Sequence, residues 1–459
     1  MERSHIITAA VLVWVLDLVV LLLFWPKRYT KTAKSKVSAQ VLVLGDIGRS
    51  PRMQYHALSI AKHGGSVELI GYNESPPLAE LVQHTNVRIW GLSAPPKLLQ
   101  SKAVPFILTA PFKVLWQIYD LWMVLCYKTP PCEFLIVQNP PSIPTLAIAF
   151  LVSLVRNHRV VIDWHNYGWT ILAGTRGPSH LFVRISKLYE CLFAKAGNEN
   201  IAVTNAMARQ LQKPPYGIKN RVVAMHDRPA TIFSPMSNSS ERLKFLSRLL
   251  ENEAMASTIV DGKARLIVSS TSWTPDEDFG LLLDALTKYA GQTETSQAKE
   301  AETTPLLAII TGKGPQKAMY EDKIAQLTQK GLLPGIRIQT MFLPFEDYAT
   351  LLASADLGVC LHKSSSGVDL PMKVVDMFGA GLPVAAYSGY ESFSELVKEG
   401  ENGCGFETPD ELSATLSRLL QPSGAKELSV LKNGAVKEGS RRWDEEWDAV
   451  VAPILGISA

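Results

Sequence analysis

The sequence has few charged residues and few cysteines. Of its 459 residues, 19% are charged and 47% are hydrophobic, which is the opposite of the balance in a disordered chain. The net charge of +3 is too small to indicate nucleic-acid binding. The five cysteines are scattered along the chain, and Cys126 and Cys132 lack the spacing of a zinc-binding pair. This cysteine usage favours a reducing compartment.

Two common phosphate-binding motifs are also missing. Gly45 and Gly48 follow a predicted strand, but no third glycine completes the dinucleotide-binding pattern G-x-G-x-x-G. Lys313 follows a glycine, but Gly314 stands where a P-loop has serine or threonine. Neither loop therefore predicts a nucleotide site from its motif alone.

The chain begins with a segment suited to a membrane. Residues 6–25 form an apolar run with one charge, Asp17, and twenty residues suffice to cross ~30 Å of hydrocarbon at ~1.5 Å per residue. The run ends in Trp25 and Pro26, an aromatic anchor and a helix breaker, and it lacks a small-residue cleavage site. Five basic residues follow it by residue 36. We predict an uncleaved single-pass anchor with the remainder in the cytosol; a cleaved signal peptide is the alternative.

Beyond this segment, short apolar runs alternate with helical patterns from residue 41, and a second series begins near residue 264. Such alternation is typical of βαβ units and a parallel sheet. We predict an α/β fold of two tandem Rossmann-like, doubly wound domains behind an N-terminal transmembrane helix. The predicted segments are an anchor with its basic flank (1–36), a first domain (37–228), a connector (229–262), a second domain (263–435) and a C-terminal helix that packs back on the first domain (436–459). The polar residues 291–304 are predicted to be a surface insertion.

Two further hydrophobic stretches lie in the first domain, at residues 104–126 and 143–155. The second is too short to span a membrane and the first is interrupted by Pro111, Lys113 and Asp120, so we expect neither to cross. A buried helix and a helix lying in the headgroup layer both remain open for the first stretch.

Ligands of doubly wound sheets bind at the carboxyl ends of the strands. After the first predicted strand, Gly45 and Gly48 permit close backbone approach, and Arg49 and Arg52 offer positive charge for an anion. An ordinary strand-to-helix turn is the alternative. In the second domain, comparable loops contain Gly312, Lys313 and Gly314, and Ser272 followed by the acidic residues 276–278.

A helix is predicted over residues 372–379, opened by Pro371. It places Lys373 in its first turn, and Asp376 becomes a carboxylate that can accept two hydrogen bonds from the cis-diol of a ribose. A solvated helix residue is the alternative for Asp376 alone.

These residues resemble the nucleotide-sugar glycosyltransferases of the GT-B type, whose second domain has an acidic residue before a Gly-x-Pro-Val bend. The corresponding stretch here is "DMFGAGLPV", with Asp376 as the acidic residue. The family's usual glutamate eight positions earlier is replaced by Val368, and Asp369 lies one residue away. Over nearly the whole chain the sequence is similar to the chitobiosyldiphosphodolichol β-mannosyltransferase family, in the stretches "GDIGRSPRMQYHA", "DWHNYG", "SSTSWTPDEDF", "TGKGP" and "LHKSSSGVDLPMKVVDMFG".

The resemblance implies transfer of mannose from GDP-mannose to dolichol-diphosphate-linked chitobiose through a β1,4 linkage, in early lipid-linked oligosaccharide assembly. It implies an acceptor-binding first domain, a donor-binding second domain and no metal or other cofactor. It places the enzyme at the endoplasmic reticulum membrane, on the cytosolic face, with other lipid-linked oligosaccharide mannosyltransferases as further partners. A transferase that uses UDP-N-acetylglucosamine and a non-catalytic glycolipid-binding scaffold are the alternatives.

Because the donor is α-linked and the product β-linked, one general base must activate the acceptor hydroxyl. His165, at the end of a first-domain strand, is our candidate for the base, and Asp46 is its rival. The donor-binding and acceptor-binding roles are assigned according to the predicted domain in which each residue lies. The expected donor-binding residues are Gly312, Lys313, Gly314, Lys373, Asp376, Asp369, Ser272 and Glu277, and the expected acceptor-diphosphate residues are Gly45, Gly48, Arg49 and Arg52.

Overall fold

The computed structural model of the protein describes residues 25–32, 36–100, 106–275, 277–295 and 304–457. Apart from Trp25, the predicted membrane-spanning run lies outside these ranges, and so does Asp276. Among the helices in these ranges, none is both long enough and apolar enough to span a bilayer.

The first domain is built on a parallel sheet. Its strands are β1 (Ser38–Asp46), β2 (Ser66–Tyr72), β3 (Val87–Gly91), β4 (Phe134–Asn139), β5 (Arg159–Trp164), β6 (Glu199–Ala202) and β7 (Arg221–Ala224). Its helices are α1 (Pro51–Lys62), α2 (Ala79–Gln83), α3 (Lys97–Gln100), α4 (Phe106–Met123), α5 (Thr145–Arg156), α6 (Gly168–Arg176), α7 (Leu181–Phe193) and α8 (Asn205–Gln212). The strands lie in the order β3-β2-β1-β4-β5-β6-β7.

The second domain repeats this design after two connecting helices, α9 (Ser239–Leu250) and α10 (Glu253–Val260). Its strands are β8 (Arg265–Ser270), β9 (Leu306–Thr311), β10 (Ile336–Met341), β11 (Leu357–Cys360), β12 (Val384–Tyr387) and β13 (Gly403–Phe406). Its helices are α11 (Phe279–Thr295), α12 (Lys317–Gln329), α13 (Phe345–Ser354), α14 (Met372–Gly379), α15 (Phe393–Leu396), α16 (Pro409–Leu420) and α17 (Ala425–Gly439). These parallel strands lie in the order β10-β9-β8-β11-β12-β13.

Both sheets reverse their strand order beside their first strand, between β1 and β4 and between β8 and β11. Crevices form at such switch points, outside the carboxyl ends of the strands. The central strands are buried on both faces, because helices cover both sides of each sheet. The predicted pair of Rossmann-like domains is therefore confirmed.

The chain ends in two helices, α18 (Trp443–Val450) and α19 (Ala452–Leu455). Trp447 and Val451 share a buried cluster with Met53 and Ala57 of α1. The C-terminal helices thus pack on the first domain and not on the second-domain helices that precede them.

Some local expectations differ from the structure. The predicted connector, for which no helix was expected, contains α9 and α10, and its polar residues Asn238 and Asn252 are the N-caps of these helices. Helix α11 continues to Thr295, so the first part of the predicted insertion is helical, and residues 296–303 lie outside the described ranges. Strands β3, β7 and β13 were not predicted. All three are edge strands; β3 and β7 have incompletely buried side chains and give a weak apolar pattern, and β13 is a four-residue strand with two glycines.

Candidate active site

An aspartate near the end of β5 and a histidine just after this strand contact each other. Asp163 has no solvent exposure, and His165 places Nε2 at 2.8 Å from Asp163 Oδ2. If Nε2 donates to this carboxylate, Nδ1 is the ring nitrogen that can accept a proton. The imidazole is 24% exposed, so a substrate hydroxyl can reach this part of the loop. The pair has the carboxylate–imidazole arrangement of a general base and its orienting group.

Arg52 holds the same aspartate from the opposite side. Its guanidinium contacts Asp163 through Nε and Nη2 at 2.9 and 3.0 Å, and Nη1 donates to Asp227 at 2.8 Å. Burial alone would raise the pKa of Asp163, but the Arg52 and His165 charges and their hydrogen bonds hold that pKa well below its usual range. Arg52 is itself 4% exposed. The expectation that Arg52 binds a diphosphate therefore needs correction, because its guanidinium is buried and engaged by two carboxylates.

The loop after β1 is organised by Asp46. Its Oδ1 accepts hydrogen bonds from the backbone N–H groups of Gly48, Glu74 and Ser75 at 3.0–3.3 Å. Hydrogen bonds from Ser75 lower the pKa of Asp46 and outweigh desolvation. A carboxylate with a lowered pKa is a weak base, so the geometry favours His165 over Asp46.

The two glycines of this loop differ. A Cβ on Gly48 would lie 2.5 Å from the carbonyl oxygen of Ser75, so a side chain there would separate the two loops. A Cβ on Gly45 would meet only an ordinary contact with Val43. Arg49 is exposed on the same loop, with Nε at 3.3 Å from the Ser75 hydroxyl, and remains accessible to an anion.

In the second domain, the loops after β8 and β9 lie directly against each other. A Cβ on Gly312 would overlap the carbonyl oxygen of Thr271, and one on Gly314 would overlap that of Ser272. Gly312 also has φ = +130°, a backbone conformation that glycine tolerates best. Both glycines are therefore needed for this close approach. Lys313 between them is exposed and places Nζ at 3.7 Å from the ring centre of Phe342.

Glu277 and Lys373 form an ion pair at the carboxyl end of this sheet. Glu277 is buried and also accepts hydrogen bonds from the Thr271 and Ser272 hydroxyls at 3.0 and 2.8 Å. Burial alone would raise the pKa of Glu277, but Lys373 and the Ser272 hydrogen bonds lower it below its usual value. Helix α14 thus presents Lys373 to the Ser272 loop, where a donor diphosphate is expected.

Asp369 joins the two domains. Its Oδ2 accepts from Asn166 Nδ2 at 3.0 Å, and His362 Nε2 lies 3.2 Å away. Asn166 also donates to the Ser365 hydroxyl at 3.2 Å. Asn166 follows His165 in the chain, and His362 forms a β-bridge with Glu277, the partner of Lys373. A continuous set of contacts therefore runs from the His165 loop of the first domain to Lys373 of the second.

Asp376 lies one turn after Lys373 on α14, so the two side chains share a face of that helix. Burial, together with the nearby Asp227 charge, raises the pKa of Asp376 to about 7. At neutral pH the carboxyl is therefore present in both charged and protonated forms. The charged form can accept a hydrogen bond from a sugar hydroxyl, and the protonated form can donate one to it.

Sequence reasoning did not select Asp163, Asn166 or His362. The first two flank the predicted base in "DWHNYG", and a D-x-H pattern at a strand end was the available signal for Asp163. His362 lies two residues after the end of β11, and nothing in the sequence indicated that Asp369 would be its partner.

Comparisons with known proteins show the family to which this chain belongs. A family model described as glycosyl transferases group 1 matches residues 251–437. A chitobiosyldiphosphodolichol beta-mannosyltransferase of Arthroderma benhamiae is 45% identical over 94% of this chain and 94% of its own. The chain belongs to the chitobiosyldiphosphodolichol beta-mannosyltransferase family. The Mus musculus member is 40% identical and covers 98% of this chain and 95% of its own.

The fold is also similar to that of solved glycosyltransferase structures with much lower sequence identity. A sucrose-phosphate synthase from Thermosynechococcus elongatus superposes with a TM-score of 0.64 at 11% identity, covering 92% of this chain and 97% of the other. At that identity the likeness concerns the two-domain GT-B fold alone. Together with the family membership, it identifies this protein as a GT-B glycosyltransferase.

Proposed function

We propose that the protein transfers mannose from GDP-mannose to the chitobiosyl group of a dolichol diphosphate, forming a β1,4 linkage with inversion at the anomeric carbon. The observation that supports this most is the 45% identity, over 94% of both chains, to a relative named for that activity. The contacts that connect the His165 loop to Lys373 supply the groups such a reaction needs on both sides of one cleft.

In the proposed reaction, His165 takes the proton from the acceptor hydroxyl as its oxygen forms the new bond to the mannose anomeric carbon. The bond from that carbon to the diphosphate oxygen breaks, and GDP departs with the electron pair. Asp163 stabilises the imidazolium, since the two groups are 2.8 Å apart. The balance needs no second co-reactant, because water does not enter the transfer.

The departing diphosphate needs positive charge. Lys373 and the exposed Lys313 are our candidates, together with the N-terminal end of α14, whose partial charge favours an anion. The Lys373 ammonium has three N–H donors, so its contact with Glu277 leaves donors for phosphate oxygens. Asp376 is proposed for the ribose and Asp369 for the donor side of the cleft.

We infer further that the protein works at the endoplasmic reticulum membrane with its two domains in the cytosol. The basic flank after the apolar N-terminal run supports this orientation. The flank is attached to the first domain, because Tyr29 N donates to Arg156 O at 2.8 Å and Lys31 pairs with Glu133 at 2.7 Å. The segment that follows the apolar run is therefore attached to the first domain beside the C-terminal end of α5.

An apolar surface adjoins that entry point and supports a lipid contact. Helix α5 packs between α4 and α7, and the three helices expose large hydrophobic side chains on their outer surfaces. These side chains are Phe112, Leu115 and Tyr119 of α4, Phe150, Leu151 and Leu154 of α5, and Leu181, Ile185, Leu188 and Leu192 of α7. Leu188, for example, is 71% exposed. Arg184 on the same helix and Lys195 just after it are exposed cations, which suit anionic lipid headgroups.

The activity is tested with purified full-length protein and a short-chain diphosphate-linked chitobiose acceptor. GDP-mannose and UDP-N-acetylglucosamine are supplied separately, and product is followed by mass spectrometry. We expect turnover with GDP-mannose and none with UDP-N-acetylglucosamine. Turnover with UDP-N-acetylglucosamine alone would support the rival donor, and no turnover with either would support a non-catalytic scaffold.

The membrane contact is tested by the double variant Leu154→Ser, Leu188→Ser against the control Met319→Ser, Val430→Ser, which changes two exposed apolar side chains of the second domain. The first variant should lose activity on dolichol-linked acceptor in vesicles and keep it on a soluble acceptor. Equal activity of both variants on vesicles would contradict the proposed contact. A truncated protein without the apolar run should start at residue 25, because residues 27–31 form hydrogen bonds with the first domain.

A further inference from the structure

The aspartate that orients His165 faces a second imidazole. His56, on α1, is fully buried, and its Nε2 lies 3.2 Å from Asp163 Oδ2, the oxygen that His165 also contacts. The approach lies off the line of a well-formed hydrogen bond, so we treat it as an electrostatic contact. Its sign depends on the ring tautomer: an N–H directed at the carboxylate attracts it, and a lone pair repels it.

The C-terminal helix fixes that tautomer. Trp447, on α18, is fully buried and places its indole nitrogen 3.0 Å from His56 Nδ1. An indole N–H can only donate, so Nδ1 must accept and the ring proton is on Nε2, facing Asp163. Burial also lowers the pKa of His56, so this ring stays neutral at neutral pH.

We propose that His56 and Trp447 are positioning residues for the transfer reaction. Trp447 holds His56 in the tautomer whose Nε2–H lies beside Asp163. His56 thereby shares Oδ2 with His165 and Arg52 and limits how strongly Asp163 attracts the protonated base. Neither residue needs to touch a substrate. The inference rests on the proposed role of His165 as general base.

Several charged groups lie around this cluster. Asp163, Arg52 and His165 all act on His56, and Arg52 is also paired with Asp227. On α18, Asp444 and Asp448 pair with Lys62 and His63 of the α1 region. A change at His56 should therefore act mainly on the Asp163–His165 pair.

The direction of the effect follows from the shared oxygen. Without the His56 N–H, Asp163 Oδ2 keeps its contacts with Arg52 Nε and His165 but loses one N–H, so it stabilises the imidazolium more strongly. The base then requires a higher pH to be free of its proton. The acid limb of the kcat profile should move to higher pH, while the KM for GDP-mannose should not change.

The test compares His56→Leu, His56→Gln and Trp447→Phe in the full chain, with kcat and KM measured across pH. His56→Leu should lower kcat near neutral pH by about tenfold, a typical effect of losing a supporting partner, and shift the acid limb upward. His56→Gln should restore most of both, because its amide can donate to Asp163 and accept from Trp447. Trp447→Phe should shift the limb in the same direction, and combining it with His56→Leu should shift it no further.

Two results would overturn the inference. One is an unshifted acid limb in His56→Leu and Trp447→Phe, and the other is a loss of kcat in His56→Gln as large as in His56→Leu. If His56→Leu fails to fold, Trp447→Phe and His56→Gln still decide the question through the limb position. Failure of the parent proposal is distinguishable, because it would appear as near-normal turnover in His165→Ala.

Discussion

His165 Nε2 and Asp163 Oδ2 lie 2.8 Å apart, and the aspartate has no solvent exposure. A carboxylate without solvent exposure, held by Arg52, directs the imidazole and stays charged as the ring gains a proton. This contact fixes the orientation of the imidazole that we propose as the general base before any substrate arrives.

Replacing His165 by alanine should lower kcat by about 100-fold or more, because the acceptor hydroxyl loses its base. The KM for GDP-mannose should change little, since His165 lies on the first domain. Steady-state kinetics on a short-chain acceptor measure both. His84→Ala, which removes an imidazole near the edge strand β3, serves as the control. Near-normal turnover of His165→Ala would transfer the base assignment to another group such as Asp46 or Glu277.

Replacing Lys373 by alanine should raise the KM for GDP-mannose and lower kcat together, because both diphosphate binding and leaving-group charge are lost. It should also lower the melting temperature, since Glu277 is left buried without its partner. Adding Glu277→Gln should recover stability but not activity. Lys323→Ala removes a surface ion pair with Asp284 and is the matched control. Full activity in Lys373→Ala would contradict the diphosphate role.

Asp376→Asn should weaken donor binding, seen as a raised KM for GDP-mannose. It should also change the dependence of stability on pH. Because burial raises the pKa of Asp376 to about 7, folding favours the protonated carboxyl, and its stabilising contribution is lost as pH rises from about 4 towards 7. The variant should therefore gain melting temperature relative to the parent at pH 8 but not at pH 4. An equal difference at both values would contradict the shifted pKa.

Replacing Arg49 and replacing Arg52 should have different effects, although Arg49 lies in the loop after β1 and Arg52 in the first turn of α1 only three residues later. Arg52→Ala leaves two buried carboxylates without their partner and should lower stability by about 3–5 kcal/mol. Arg49→Ala should leave the melting temperature unchanged, because the side chain is 80% exposed, and should raise the KM for the diphosphate acceptor. Thermal unfolding and acceptor kinetics distinguish the two. A stable Arg52→Ala with weakened acceptor binding would restore the original assignment of Arg52.

The sequence predicted the two sheets well because parallel strands buried on both faces produce continuous apolar runs, as in β4 and β9. It missed β3 and β7, which are partly buried edge strands, and β13, a short edge strand with two glycines. The polar residues around Asn238 did not predict a helix because N-caps and connecting loops use the same residue types.

Within the site, the positions of His165 just after β5 and of Lys373 in the first turn of α14 were predictable, and their roles in the reaction remain predictions. The side chains that contact these two residues were not predictable. Arg52 looked like an exposed cation because its two carboxylates, Asp163 and Asp227, lie 111 and 175 residues further along the chain. Long-range pairings of this kind depend on strand order and helix packing, and a local pattern does not encode them.

The central claim is that one cleft joins the His165 base to the Lys373-supported donor site and forms a β-linked mannoside. The most direct measurement is product formation from GDP-mannose and a diphosphate-linked chitobiose acceptor, with the anomeric configuration read by nuclear magnetic resonance, in the parent protein, His165→Ala and Lys373→Ala. We predict a β1,4-mannoside from the parent and product at or below about one hundredth of that rate from His165→Ala, with a clear loss from Lys373→Ala. A product of α configuration, or parent-like rates in both variants, would contradict it.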